Sequence, residues 1–241
     1  LNSPSTIALM KAMGSRLLRF PGGSMSDAYN WKTGRTDGNT WSWATDFDDF
    51  VNVMLQTGQQ ATITVNYGSG TPELAADWVR YANITRGLGI KYWDVGNENF
   101  GTWENDLNNR PHDPVTYANR FKLFWQAMKA VDPSIKIGVP VATGEDAFDT
   151  YKDQTVTNPR TGAAHNGWTP VLLTRLKQLG VIPDYVVIHR YEVGLSGDEH
   201  DDILLQRAKT WDTEIEAMRQ QLTDYLGILG APVEIQTNEN N

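Results

Sequence analysis

The chain has 241 residues, 40% of them apolar and 21% charged, an ordinary composition for a folded domain with a sizeable core. Its net charge of −8 argues against nonspecific binding to nucleic acid or anionic membranes, and no apolar run reaches the roughly 20 residues of a membrane helix. The absence of cysteine removes disulfides, thiolate zinc sites, iron–sulfur clusters and cysteine nucleophiles together.

Ser3-Pro4 ahead of Ile7, Leu9, Met10 and Met13 reads as a capped helix closed by Gly14. Residues 16–20 read as a strand stopped by Pro21-Gly22-Gly23, followed by a polar loop carrying Trp31, Trp41 and Trp43. A helix over 46–57 places Phe47, Phe50, Val51, Met54 and Leu55 on one face, and Gly58 ends it. Residues 61–66 form a β-branched, apolar strand. Thr71-Pro72 then caps a helix to about Arg86, and 90–95 is a strand. The same alternation gives a helix over 114–131, a strand over 135–141, a long loop over 143–167 and a helix over 169–179. A strand over 185–189, one long helix from Asp201 to about Leu229 and a strand over 233–236 complete it.

Strand–helix alternation with short, nearly continuous apolar strands predicts an α/β protein with parallel pairing. No GxGxxG follows the first strand and no Walker A sequence occurs, which disfavours a nucleotide-binding doubly wound sheet. Polar residues instead gather after several strands: Arg19, Asn66, Asn97-Glu98, His189 and Tyr191, and Glu239. Chemistry collected at many strand ends is the arrangement of a (β/α)8 TIM barrel, the fold expected here as a single domain. The chain opens without an initiator Met or a targeting segment and stops just after a strand-like run. It is therefore expected to be a segment of a longer protein, or a mature chain cut at both ends.

Glu98 directly follows an apolar strand and Gly96-Asn97, and Glu239 follows Val233-Glu234-Ile235-Gln236 in the same way. Two carboxylates on one cleft are what glycosidic cleavage requires, one protonated as acid and one ionised. Arg19, His189 and Tyr191 are the donors available to keep one of them charged.

Three runs carry a family resemblance: Arg19-Phe20-Pro21-Gly22-Gly23, the stretch from Val65 to Glu73, and the stretch from Lys91 to Trp103 with Val95-Gly96-Asn97-Glu98 at its centre. They resemble the α-L-arabinofuranosidases of glycoside hydrolase family 51 and their relatives, retaining (β/α)8 glycosidases. That resemblance implies that strands 2 to 7 lie in this chain and strands 1 and 8 outside it. It implies Glu98 as acid/base, Glu239 as nucleophile and Asn97 as a partner of the sugar hydroxyl next to the anomeric carbon. His189 and Tyr191 would orient the nucleophile and contact the sugar, and Arg19 would contact the nucleophile or its surroundings. There are departures. Ser24 stands where these enzymes usually have Asn, which puts one substrate hydrogen bond in question, and Asn238 precedes Glu239 where Thr or Asp is common.

The aromatic loop residues Trp31 and Trp103 are candidates for sugar stacking, beside Trp41 and Trp43. His112, His165 and His200 lack metal-ligand spacing, and no metal or cofactor is expected. Glu145, Asp146, Glu192 and Glu234 read as solvent or structural carboxylates, with Glu192 the one most easily mistaken for a catalytic residue. The expected partner is a carbohydrate such as arabinan or arabinoxylan, not nucleic acid or membrane. Secretion suits such an enzyme, although no residue in the chain signals it. Another clan member (a β-xylosidase, endo-glucanase or endo-xylanase) and a non-catalytic carbohydrate-binding barrel are the alternatives.

Overall fold

Capping explains where the helices begin. In the computed structural model, which describes residues 3–191 and 200–240, Ser3 Oγ accepts the Thr6 N–H at 3.2 Å and Pro4 opens α1 (Pro4–Ala12). After β1 (Leu17–Phe20), the loop forms a small antiparallel hairpin, β2 (Tyr29–Asn30) and β3 (Arg35–Thr36), where sequence reasoning placed only loop. Asp46 caps α2 (Phe47–Thr57) through the Asp49 N–H at 2.9 Å, and Gly58 ends it in the left-handed region at φ 70°. Then come β4 (Gln60–Val65), α3 (Pro72–Val79) capped by Thr71 and continued by a π-helical turn over Arg80–Thr85, and β5 (Tyr92–Val95). Helix α4 (Pro114–Val131) and β6 (Lys136–Val141) lie at the predicted places. The long loop holds a second hairpin, β7 (Val156–Thr157) with β8 (Ala164–His165). It is followed by α5 (Trp168–Gln178) and β9 (Tyr185–Arg190).

Two expectations need correction. The single helix from Asp201 is two, α6 (Asp201–Ala208) and α7 (Trp211–Leu226). Arg190 supplies the reason: its guanidinium donates to the Arg207 carbonyl and to Thr210 Oγ1 and stacks over the Trp211 ring at 5.1 Å, so a cation takes up the carboxyl end of α6. The last strand, β10 (Glu234–Asn240), runs well past the predicted end at Gln236 because its parallel pairing with β9 continues through Glu239 and Asn240.

The chain divides into two compact units, Leu1–Asn109 with Leu123–Ile137, and Arg110–Lys122 with Gly138–Asn241. In the first, β1, β4 and β5 pair in parallel in chain order. An aromatic core backs them: Phe20 stacks on Phe50 at 4.8 Å, and Trp78 meets Trp93 edge-on at 6.1 Å. In the second, β9 pairs in parallel with both β6 and β10. Trp168 is fully buried there, packs on Tyr117 at 5.3 Å and donates its indole N–H to the Pro140 carbonyl at 3.0 Å. The long loop is tied down by the buried Asn158, whose amide donates to Glu145 at 2.8 Å and to Asp224 at 3.0 Å. Among the described residues, no helix is long and apolar enough to cross a membrane.

Candidate functional site

The first unit builds its polar cluster at the carboxyl end of β5. Gly96, at φ 81°, turns the chain away from the strand; a Cβ there would lie 2.0 Å from Asn99 Oδ1, so only glycine fits. Two residues on, Glu98 itself sits at φ 41°, a strained conformation for a side-chain-bearing residue. Asp27 holds that turn in place. Its carboxyl group is fully buried and accepts the backbone N–H of Asn97 at 3.1 Å, the side-chain N–H of Asn99 at 2.9 Å and the backbone N–H of Tyr67 at 3.2 Å. One side chain thereby joins the ends of β4 and β5.

The half-buried Glu98 carboxylate accepts the Trp103 indole N–H at 2.9 Å. Trp103 is 56% exposed and leans edge-on against Phe100 at 6.3 Å, so its ring stands beside Glu98 and open to a ligand. Asn97 is buried between two charged groups. Its Oδ1 accepts from Arg19 Nη2 at 2.5 Å, and its Nδ2 donates to Glu104 Oε1 at 3.0 Å. The same Glu104 oxygen accepts from Ser24 Oγ at 2.8 Å. Arg19 and Asn97 thus share one set of contacts, and Glu98 and Trp103 the adjoining one, all four named from the sequence.

Trp31 is held differently. Its indole donates to the Leu74 carbonyl at 3.0 Å, and its ring stacks on Trp78 at 5.8 Å and on Tyr81 at 5.3 Å. The ring that sequence reasoning offered to a sugar is thus stacked on α3 and its π-helical continuation while it also lines a recess of about 400 Å³. Asn66 likewise spends its carbonyl oxygen on the backbone N–H groups of Ser69 and Gly70, each at 2.9 Å, closing the turn ahead of α3. Trp41 and Trp43 line a recess of about 510 Å³ beside Arg19 and Pro21.

The second unit sets its cluster on β9 and β10. The register slips between Thr237 and Glu239, leaving Asn238 as an extra residue, so Glu239 pairs with His189. Both sides of that bulge face the same ring. His189 Nε2 meets Asn238 Oδ1 at 2.9 Å, and its Nδ1 lies 3.6 Å from Glu239 Oε2. With the Asn238 carbonyl oxygen as acceptor, Nε2 carries the hydrogen. The Tyr191 hydroxyl donates to Glu239 Oε1. Glu239 therefore has the Tyr191 hydroxyl on one oxygen and the His189 ring beside the other. Glu192, the carboxylate easily mistaken for it, lies outside the described residues.

Sequence reasoning missed Asp27 and Glu104. A loop Asp and a Glu six residues past Glu98 look like surface charges, and only their burial marks them. Burial pushes the Asp27 carboxyl well above its ordinary value; the three N–H donors pull it down and the nearby Glu104 charge pushes it up again. The folded protein consequently keeps a proton on Asp27 at pH values where the unfolded chain has released it, so stability falls as pH rises from about 3.8 towards the raised value. Thermal melting measured against pH should show this decline, and Asp27→Asn should flatten it. Parallel curves for the two proteins would contradict the assignment.

Compared with models of known protein families, the chain matches none. It is 26% identical over 169 residues to α-L-arabinofuranosidase C of Emericella nidulans, a match covering 59% of this chain and 33% of that one. Its fold matches the α-L-arabinofuranosidase of Thermotoga maritima, solved as an arabinose complex, with a TM-score of 0.73 at 20% identity over 98% of this chain and 48% of that one. The chain is arabinofuranosidase-like. It also matches CelM2, a bifunctional glucanase-xylanase from a metagenome library, with a TM-score of 0.69 at 16% identity, over 98% of this chain and 65% of that one. The arabinofuranosidase-like chain spans about a third of the curated relative's length and about half of the T. maritima enzyme's.

Proposed function

We propose that the chain carries the catalytic carboxylates of a retaining glycoside hydrolase acting on arabinose-containing plant polysaccharides, in the manner of an α-L-arabinofuranosidase. In this reading the six long parallel strands are strands 2 to 7 of a (β/α)8 barrel, with strands 1 and 8 outside these residues. The observation that carries it is the setting of Glu239 on its bulge, bonded by the Tyr191 hydroxyl and flanked by His189.

In the first step a Glu239 oxygen bonds to the anomeric carbon as the glycosidic bond breaks, and Glu98 gives its proton to the departing oxygen. In the second, Glu98 takes a proton from water, the water oxygen bonds to the anomeric carbon, and the bond to Glu239 breaks. Two inversions at one carbon leave the configuration retained. Asn97 donates to the hydroxyl beside the anomeric carbon, and Trp103 supports the sugar ring next to Glu98. The pair then calls for a carboxylate separation of roughly 5–5.5 Å; an inverting enzyme keeps roughly 6.5–9.5 Å for its water.

The test is proton NMR of the first sugar released from an aryl α-L-arabinofuranoside by the chain in its native polypeptide. Retained configuration is the expected result. Inversion would remove Glu239 from the nucleophile role. The likeness to a glucanase-xylanase fold keeps one second reading, endo action on a glucan or xylan backbone. Release of oligosaccharides from xylan, with no turnover of the arabinofuranoside, would favour it.

A further inference from the structure

We infer that Glu104 is a positioning residue that fixes which way round the Asn97 amide is held, and so sets the hydrogen bond offered to the hydroxyl next to the anomeric carbon. The inference rests on the glycosidase reading of Asn97. An asparagine amide is nearly symmetric in shape but not in chemistry, with two N–H donors on one side and an acceptor oxygen on the other. Arg19 only donates, and it meets Oδ1 at 2.5 Å. Glu104 Oε1 accepts, and it meets Nδ2 at 3.0 Å. Rotating the amide by half a turn would set N–H against guanidinium and oxygen against carboxylate, two repulsive contacts in a buried place. The carboxylate thus holds the nitrogen in place, and the second hydrogen of Nδ2 is the one directed to a sugar oxygen.

Glu104 is in turn held by its own segment. The Gly101 N–H donates to the Glu98 carbonyl at 2.7 Å and the Glu104 N–H to the Gly101 carbonyl at 3.2 Å, so Glu98 and Glu104 share one tight run of turns. A Cβ on Gly101 would lie 2.3 Å from the Trp103 ring, which fixes glycine there and allows the indole to fold back onto Glu98. Ser24 completes the arrangement. Its hydroxyl donates to Glu104 Oε1 at 2.8 Å. One oxygen of the Glu104 carboxylate thus accepts from both Ser24 and Asn97.

The experiment compares Glu104→Met, which keeps the side-chain length without an acceptor, with Glu104→Gln, which keeps an acceptor oxygen. Each is assayed on an aryl α-L-arabinofuranoside and on its 2-deoxy analogue, with thermal melting as the check on folding. The expected result is that the preference for the 2-hydroxy substrate, as a ratio of kcat/KM, falls about tenfold in Glu104→Met and stays at the wild-type value in Glu104→Gln. Equal loss on both substrates, or an unchanged ratio, would reduce Glu104 to a structural role and overturn the inference while leaving the glycosidase reading intact. If Glu104→Met does not fold, Ser24→Ala loosens the same oxygen and should lower the ratio by about threefold; an unchanged ratio there is equally decisive against it. A wild-type protein that turns over no glycoside defeats the underlying reading, and this inference with it.

Discussion

Glu239→Gln should abolish hydrolysis of an aryl α-L-arabinofuranoside, lowering kcat by more than about 10³-fold while the protein melts near the wild-type temperature. The amide keeps the shape of the carboxylate and an oxygen able to accept from the Tyr191 hydroxyl, so the surroundings on β9 and β10 are preserved. What it lacks is the negative charge that bonds to the anomeric carbon. In the proposed double displacement both steps pass through that bond, so the reading leaves no detour around its loss. Retention of a tenth or more of the activity in a folded variant would move the nucleophile elsewhere. Folded protein with neither variant nor wild type active would point to binding without turnover, and titration with arabinan or xylan would then decide.

Glu98→Ala should divide substrates by their leaving groups. A poor leaving group such as a sugar hydroxyl needs a proton as it departs, and the loss there should be about 10²–10⁴-fold. An activated aryl oxide departs as an anion, so its first step should be nearly untouched. The second step still lacks its base, and the glycosyl-enzyme should then accumulate, seen as a burst of aryl oxide followed by slow turnover. Equal losses in kcat/KM, which reports the first step, for both classes would remove Glu98 from the acid role. Because Trp103 bonds to Glu98 at 2.9 Å, the variant also removes that bond. Trp103→Phe in the wild-type background separates the two effects, since it removes the N–H and keeps a ring.

Much of the fold is legible along the chain because capping and hydrophobic period are local. Thr71-Pro72, Asp46 and Gly58 mark helix ends through contacts made within a few residues. The break between α6 and α7 is not legible in that way. No glycine or proline interrupts 201–226, and the break is set by Arg190, whose bond to the Arg207 carbonyl spans 17 positions. The extension of β10 escapes for a related reason. Asn238 and Glu239 are poor strand formers, and only pairing with β9 carries them into the sheet with a bulge.

The chemistry divides along the same line. Strands ending in Gly-Asn-Glu and Thr-Asn-Glu single out Glu98 and Glu239 as the candidate carboxylates, since a strand end is a place where local pattern and position coincide. Which groups surround them is decided by contacts between distant positions: Arg19 reaches Asn97 across 78 residues, Ser24 reaches Glu104 across 80, and Asp27 reaches Asn99 across 72. Trp31 and Trp103 show the difference plainly, for both are loop tryptophans, yet one is stacked against Trp78 and the other stands open beside Glu98. A side chain's charge state and donor direction depend on desolvation and on partners, and those exist only once the chain has brought remote residues together.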